Sequence, residues 1–417
     1  MTSIKVVGGN KLNGFVELHG AKNSALPILA GAAVCKGKSV IHNCPMLSDI
    51  DAAIKILEHL GAEVSRENHS VTIDSTNLDG YEIPDSLMRE MRSSIVFLGA
   101  IAARNNKAVI SSPGGCELGP RPIDLHITSL KELGLEIEES HGLLVCGAKN
   151  GLQGGEITLA FPSVGATENI MLAASTAIGK TIIHNAAREP EISDLADFLN
   201  GAGADIQGAG SDKIEINGVK SLRGTEHTVI PDRIEGATYL TAAAITGGKI
   251  TLQNTVPAHL TPILSYLKSA GCNVLVHNRK VTLTAPVRLK RIPIIRTAPY
   301  PGFPTDAGSP FLAMLAVADG SSMFVENIFE NRYRVVDELV RFGAKITTNG
   351  RVAVVEGVHR LMGANVECTD LRGGAALVVA ALSAKGTTNI SKIYHIERGY
   401  ENLVDNLSYL GADIMEY

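Results

Sequence analysis

The chain contains no tryptophan, and aromatic residues make up 4% of its 417 positions although 45% are hydrophobic. Its core must therefore be filled by Ala, Val, Ile and Leu, an inventory suited to helices packed closely on sheets. No uncharged apolar run reaches the ~18 residues of a membrane span. The N-terminus Met1-Thr2-Ser3-Ile4-Lys5-Val6-Val7 lacks the apolar stretch and cleavage site of a leader, so a soluble, cytoplasmic protein is expected. A basic excess is also missing: 38 Lys and Arg face 43 Asp and Glu, for a net charge of −5 and a pI near 6.2. That balance argues against a nucleic-acid or acidic-membrane partner, and no obligate protein partner is evident. The six cysteines, at 35, 44, 116, 146, 272 and 368, form no Cys-x-x-Cys pair and have no His at zinc-ligand spacing. Neither a metal nor a disulfide framework is expected. Five of them lie in apolar or strand-like surroundings, where a thiol is buried and inert; Cys116 does not.

What the chain does have is repetition. An Ala-rich apolar helix, a β-branched strand, a polar loop, a second helix and a Gly leading into another strand recur six times. The marker glycines are Gly61, Gly134, Gly203, Gly271, Gly343 and Gly411. A period of about 70 residues exceeds the roughly 20–50 of solenoids and propellers, so each copy reads as a small α/β layer. Single cores stop growing at roughly 250–300 residues, and six copies divide naturally into three plus three.

Charge or a small residue opens each first helix: Lys22-Asn23, Arg89-Glu90-Met91-Arg92 before Ser93, Ser163-Val164-Gly165, Asp232-Arg233, Thr305-Asp306 and Asp370-Leu371-Arg372. Helix N-termini carry unpaired N–H groups and attract anions. Read singly, the Asp, Ser and Thr residues are N-caps and the arginines sit on a solvated face. Read together, Lys22, Arg92, Arg121, Arg332, Arg372 and Arg398 are expected to converge on a ligand with several phosphate or carboxylate groups. The segment Ser111-Ser112-Pro113-Gly114-Gly115-Cys116-Glu117-Leu118-Gly119-Pro120-Arg121 reads as a lid loop around one thiol, with a tight turn and a spectator Cys116 as the alternative. A cysteine exposed beside an arginine has its thiolate favoured.

At this point the residues resemble a known family. Lys22-Asn23, Pro113-Gly114-Gly115-Cys116, Arg121-Pro122-Ile123-Asp124-Leu125-His126, Asn185-Ala186-Ala187-Arg188-Glu189-Pro190-Glu191, Pro304-Thr305-Asp306, Phe329-Glu330-Asn331-Arg332, Asp370-Leu371-Arg372 and His395-Ile396-Glu397-Arg398-Gly399-Tyr400 are collinear with the UDP-N-acetylglucosamine 1-carboxyvinyltransferase family of enolpyruvyl transferases. The resemblance implies an α/β fold of two inside-out α/β barrel domains, each of three repeats. It implies one domain at 22–229 and another at 1–21 plus 230–417, with the site in the cleft between them. The implied reaction joins the enolpyruvyl group of phosphoenolpyruvate to the 3′-hydroxyl of UDP-N-acetylglucosamine, releases phosphate, and commits the sugar to peptidoglycan. No metal or organic cofactor is called for.

The same resemblance supplies residue roles. Cys116 is the proton donor and the thiol that forms a covalent adduct, and Asp306 is the base near the 3′-hydroxyl. Lys22, Asn23, Arg92, Arg121, Arg332, Arg372 and Arg398 are implied in holding phosphoenolpyruvate, with Arg332 also steering Asp306. Asn23, Arg92, Asp306 and the Ile328 backbone meet the nucleotide sugar. Arg121, Pro122, Ile123, Asp124 and Leu125 cradle the uracil, and Ser163, Val164 and Gly165 meet the diphosphate. Where such proteins usually carry a Met-Gln pair after this Asp, the chain has Ala307-Gly308-Ser309-Pro310, so the adjoining helix is expected to differ. Two rival readings are an enzyme of the same fold acting on shikimate 3-phosphate and a non-catalytic nucleotide-sugar-binding regulator.

Overall fold

The structure is a computed structural model and describes residues 2–111 and 123–417. All six marker glycines have positive φ, between 84° and 104°. Each ends an outer helix by a Schellman motif, in which the residue after Gly donates its N–H back five residues and Gly donates back three. In the first copy these bonds are Ala62 to Leu57 and Gly61 to Glu58; in the last they are Ala412 to Leu407 and Gly411 to Ser408. A side chain at these positions would force an L-residue into the left-handed region, which is why the period shows in the sequence as glycine.

Each copy also has an inner helix: α1 (Lys22–Val34), α2 (Phe97–Asn105), α3 (Val164–Ala174), α4 (Arg233–Ile245), α5 (Gly308–Leu315) and α6 (Leu371–Ser383). These are buried almost all round. Every residue of α4 is buried, as are Ser24–Val34 of α1 and Arg372–Leu382 of α6. A helix that is apolar on every face belongs inside, and small residues let neighbours approach: a Cβ at Gly31 would stand 2.9 Å from Phe198 Cε1. Helices α1, α2 and α3 pack on one another, and so do α4, α5 and α6. With helices at the centre and sheets outside, the inside-out arrangement is realised twice.

One expectation needs correction. The apolar run of the second copy does not begin its α-helix at Ser93. A separate helix, Asp85–Glu90, stops at the extended Met91, a 3-10 turn spans Arg92–Val96, and α2 starts at Phe97. The cause is Asn169, whose side-chain Oδ1 accepts the Gly99 N–H at 2.7 Å while its Nδ2 donates to the Ile95 carbonyl at 3.0 Å. Those two backbone groups would otherwise form an i to i−4 helical bond, and the inserted amide takes both.

Among the described residues, strands form six four-stranded sheets of one pattern. Three antiparallel strands carry a short parallel edge strand, as where Glu226–Thr228 lies beside Lys38–His42, followed by Ser70–Asp74 and Glu63–Glu67. In the second, third, fifth and sixth copies the edge strand lies ahead of its own inner helix in the chain. The first and fourth copies exchange theirs: Asn13–Glu17, just before α1, pairs with Lys249–Gln253 of the fourth copy, and Glu226–Thr228, just before α4, pairs with Lys38–His42 of the first. Ile4–Gly8 likewise joins the last sheet, between Gly386–Ser391 and Asp413–Glu416. Contacts accordingly divide the described residues into two units, one of residues 20–230 and one of residues 2–19 with 231–417. Each has its own continuous aliphatic core.

Candidate active site

In the unit containing the C-terminus, Asp306 sits in a 3-10 turn, Thr305–Ala307, that runs into α5. Pro310 falls in the first turn of α5, where an N–H has no intrahelical acceptor to lose, so the Ala307-Gly308-Ser309-Pro310 segment continues as helix. Two buried arginines take the two Asp306 oxygens. Arg332 Nη2 donates to Oδ1 at 2.7 Å, and Arg372 Nη2 donates to Oδ2 at 3.1 Å. Their side chains are 3% and 4% exposed, whereas that of Asp306 is 25% exposed. The carboxylate is thus the open member of the cluster.

Arg332 is itself anchored through Nε and Nη2 to the Thr305 carbonyl, at 3.2 and 3.0 Å. Arg372 follows the N-cap Asp370, which accepts N–H bonds from Arg372 and Gly373 at 3.0 and 2.9 Å. The Arg372 guanidinium lies 5.3 Å from the Tyr400 ring centroid, and the Tyr400 hydroxyl meets Thr238 Oγ1 at 2.9 Å. Burial opposes the charge on Arg372, but Tyr400, Asp306 and Asp232 outweigh it and its pKa rises. Its Nη1 is buried with no hydrogen-bond partner among the described residues.

Sequence reasoning missed Glu326. This buried carboxylate accepts from Thr297 Oγ1 at 3.0 Å, Ile328 N at 2.8 Å and Phe329 N at 3.0 Å through Oε1, and from Thr305 Oγ1 at 2.9 Å through Oε2. One side chain therefore ties the turn bearing Asp306 to the segment Ile328–Phe329. A lone Glu at a strand end gives no sequence signal of this. Arg398 is half-buried after the short helix Tyr394–Glu397.

In the other unit, Lys22 opens α1 without a side-chain cap, and its Nζ donates to the buried Asp49 at 3.0 Å. Asn23 beside it is half-buried. Ser163 caps α3 by accepting the Ala166 N–H at 3.3 Å, and Val164 and Gly165 form the first turn. Ile123 precedes the helix Asp124–Glu132; Asp124 is exposed and Leu125 half-buried. Cys116, Arg121 and Pro122 lie outside the described residues, as does the Arg92 side chain. Of the helix starts read as N-caps, those at Ser163, Asp232 and Asp370 are caps in fact. The other five thiols are buried, and burial raises Cys146 to about 11 and Cys35, Cys272 and Cys368 to about 12.

No helix among the described residues is long and apolar enough to cross a membrane. The family model for EPSP synthase (3-phosphoshikimate 1-carboxyvinyltransferase) matches residues 6–407. UDP-N-acetylglucosamine 1-carboxyvinyltransferase 2 of Caldanaerobacter subterraneus subsp. tengcongensis is 52% identical over 415 residues, covering 100% of this chain and 99% of the relative. UDP-N-acetylglucosamine 1-carboxyvinyltransferase 1 of Symbiobacterium thermophilum is 51% identical, covering 98% and 94%. Among solved structures, the enolpyruvyl transferase NikO from Streptomyces tendae superposes with a TM-score of 0.88 at 26% identity, covering 100% of this chain and 98% of that one. Identity of this order along the whole length, on a fold shared with another enolpyruvyl transferase, shows that the chain belongs to the enolpyruvyl transferases and, within them, to the UDP-N-acetylglucosamine 1-carboxyvinyltransferases.

Proposed function

We propose that the chain transfers the enolpyruvyl group of phosphoenolpyruvate to the 3′-hydroxyl of UDP-N-acetylglucosamine, releases phosphate, and so commits the sugar to peptidoglycan. The observation that carries this reading is end-to-end similarity to transferases of that name. The Asp306 cluster fits it. In the addition step the 3′-oxygen bonds to C2 of phosphoenolpyruvate as its proton leaves to a base and a second proton arrives at the methylene carbon. In the elimination step the C2–phosphate bond breaks and the methyl group gives up a proton. Asp306, the exposed carboxylate of its cluster, is assigned the first proton and Cys116 the second.

The cations have separable tasks. Arg332 fixes the direction of Asp306, and Arg372 offers its leftover Nη1 donor to an anionic substrate oxygen. Lys22, Arg121 and Arg398 hold phosphate; Arg92 supports the anionic site. Asn23 and the Ile328 backbone meet the sugar. Arg121 to Leu125 cradle uracil, and Ser163, Val164 and Gly165 receive the diphosphate at the start of α3. The partners are these two small molecules, and the setting is the cytoplasm.

Phosphate release in the presence of both substrates, with mass spectrometry of the nucleotide product, tests the reading. Release with UDP-N-acetylglucosamine and a product heavier by one enolpyruvyl group is expected. Release only with shikimate 3-phosphate, or binding of the nucleotide sugar without release, would overturn it.

A further inference from the structure

Ser24 and Asp194 are 0% and 3% exposed and come from different copies: Ser24 from the first turn of α1, Asp194 from the outer helix Pro190–Gly201 of the third. The Asp194 carboxylate is engaged through both oxygens. Its Oδ2 accepts the Ser24 hydroxyl and, at 3.2 Å, the Ile230 N–H. Its Oδ1 meets Nε2 of His227, on the edge strand Glu226–Thr228, at 2.9 Å. The Ile230 carbonyl in turn accepts the Ala21 N–H at 2.7 Å, and the Ser24 N–H donates to the Ala21 carbonyl at 3.0 Å. These bonds close a ring that runs from Ala21 to Ile230, Asp194, Ser24 and back to Ala21. Helix α1 has no side-chain cap at Ala21, so its first turn is fixed from across the fold instead of by its own flank. Lys22 and Asn23 are the residues enclosed between the two pinned positions, and they are half-buried where Ala21 and Ser24 are buried.

We propose that Asp194 is a positioning residue for the reaction: through Ser24 and Ile230 it sets where the backbone presents Lys22 and Asn23. The inference rests on the assignment of Lys22 to phosphate and Asn23 to the sugar under Proposed function. Lys22 carries its charge on a flexible four-carbon stem, so its precision has to be supplied at both ends. Asp49 holds the ammonium group at 3.0 Å, and the ring around Asp194 holds the backbone. Hydrogen bonds to a carboxylate are roughly twice as strong as those between neutral groups, and a misplacement of about 1 Å in a reacting site costs on the order of 10²-fold. His227 lies outside the ring, on the other carboxylate oxygen, and shares the burial of Asp194 without bearing on Lys22 or Asn23.

Steady-state kinetics with phosphoenolpyruvate and UDP-N-acetylglucosamine, run on the full-length protein well below its melting temperature, test this. Asp194→Ala is expected to lower kcat/KM for phosphoenolpyruvate by about ten- to hundred-fold, with KM raised for both substrates because Lys22 and Asn23 serve different ones. Asp194→Asn should recover most of the loss: its carbonyl oxygen keeps the Ser24 and Ile230 donors, and its amide donates to His227, whose Nε2 becomes an acceptor in the other tautomer. His227→Leu should lower the melting temperature yet leave both KM values near those of the wild type. Ser24→Ala removes a single bond of the ring and should raise both KM values by less than Asp194→Ala, which keeps the question decidable if Asp194→Ala fails to fold. A fall in kcat alone is what loss of folded protein gives, and in Asp194→Ala or Ser24→Ala it would overturn the proposal. So would a His227→Leu that raises KM as far as Asp194→Ala, or an Asp194→Asn no better than Asp194→Ala; each leaves the reaction intact. A wild-type protein that releases no phosphate from the two substrates would overturn the reaction and this proposal together.

Discussion

Arg332 Nη2 reaches both Asp306 Oδ1, at 2.7 Å, and the Thr305 carbonyl, at 3.0 Å. The guanidinium thus fixes the carboxylate relative to the backbone that carries it, a task for a planar fork and not for a point charge. Asp306→Asn is expected to lower kcat by roughly 10²–10⁴, the worth of a general base, with UDP-N-acetylglucosamine affinity within a few-fold of wild type. Arg332→Lys should lose turnover in the same direction but less, since the charge survives and the fork does not. Stopped-flow turnover alongside calorimetry separates the two effects, and near-normal turnover in Asp306→Asn would remove it from the role.

Glu326→Gln replaces an acceptor-only group with one that must donate through one end. Oε1 holds the donors of Thr297, Ile328 and Phe329, so the amide nitrogen must take the place of Oε2, where the Thr305 hydroxyl has to turn from donor to acceptor and the charge that strengthened all four bonds is gone. We expect about 1–3 kcal/mol of destabilisation and a fall in kcat through the displaced Asp306 turn. Denaturant melts and kinetics on the same preparation check both; a variant as stable and active as wild type would refute the tie.

The two units should respond to pH in opposite senses. His19 pairs with Glu235 through Nδ1 at 2.9 Å. Burial alone would lower the His19 pKa, yet the bond to Glu235 and the charges of Glu235, Glu401 and Asp232 raise it to about 9. The folded state then binds more protons than the unfolded chain between about 6.5 and 9, so this contribution is complete below pH 6.5 and is lost as pH rises through 9. His126, lowered to about 4, contributes stability above pH 6.5 that is lost as pH falls towards 4. Glu168, buried beside Glu191 and Glu189 with its carboxyl raised, works against that acid loss in the same unit. Differences between wild type and variants are therefore the test: His19→Gln should flatten the alkaline limb of the melting temperature and His126→Gln the acid limb.

Fosfomycin, an epoxide, should alkylate one thiol. Cys35, Cys146, Cys272 and Cys368 are buried with raised pKa values, and Cys44 is buried, so an adduct is expected on the peptide holding Cys116 alone. Cys116→Asp should retain activity and resist the drug, whereas Cys116→Ala should lose most activity. An adduct on any other cysteine, found by intact-mass and peptide mapping, would show the wrong thiol had been chosen.

The repeat was legible because its marker is conformational: six glycines stand where only a residue tolerant of positive φ closes the Schellman turn. The inner helices were legible from their apolar runs, and the Cys116, Asp306 and arginine assignments came from resemblance of short segments. Other features leave no such trace. The edge strand Glu226–Thr228 has three residues, too few for a period of two to register. Glu326 and Asn169 act through which backbone groups they meet across the fold, and nothing in their neighbours along the chain distinguishes them from ordinary polar residues. The start of α2 was misplaced for that reason, since the amide that intercepts it comes from a different copy.

The exchange of strands at the chain's beginning has a consequence for biosynthesis. Residues 20–230 emerge from a ribosome in one stretch and can close their three sheets as soon as Glu226–Thr228 appears. Ile4–Gly8 is translated long before either of its partners, Gly386–Ser391 and Asp413–Glu416. The buried Ile4 and Val6 must therefore wait until those strands emerge with both strand edges unpaired. A message cut short before Gly386 would yield a chain with one finished unit and a bare apolar ribbon, the kind of edge on which chains aggregate. Chaperone capture of nascent chains should concentrate on Ile4–Gly8 and end when Asp413–Glu416 emerges.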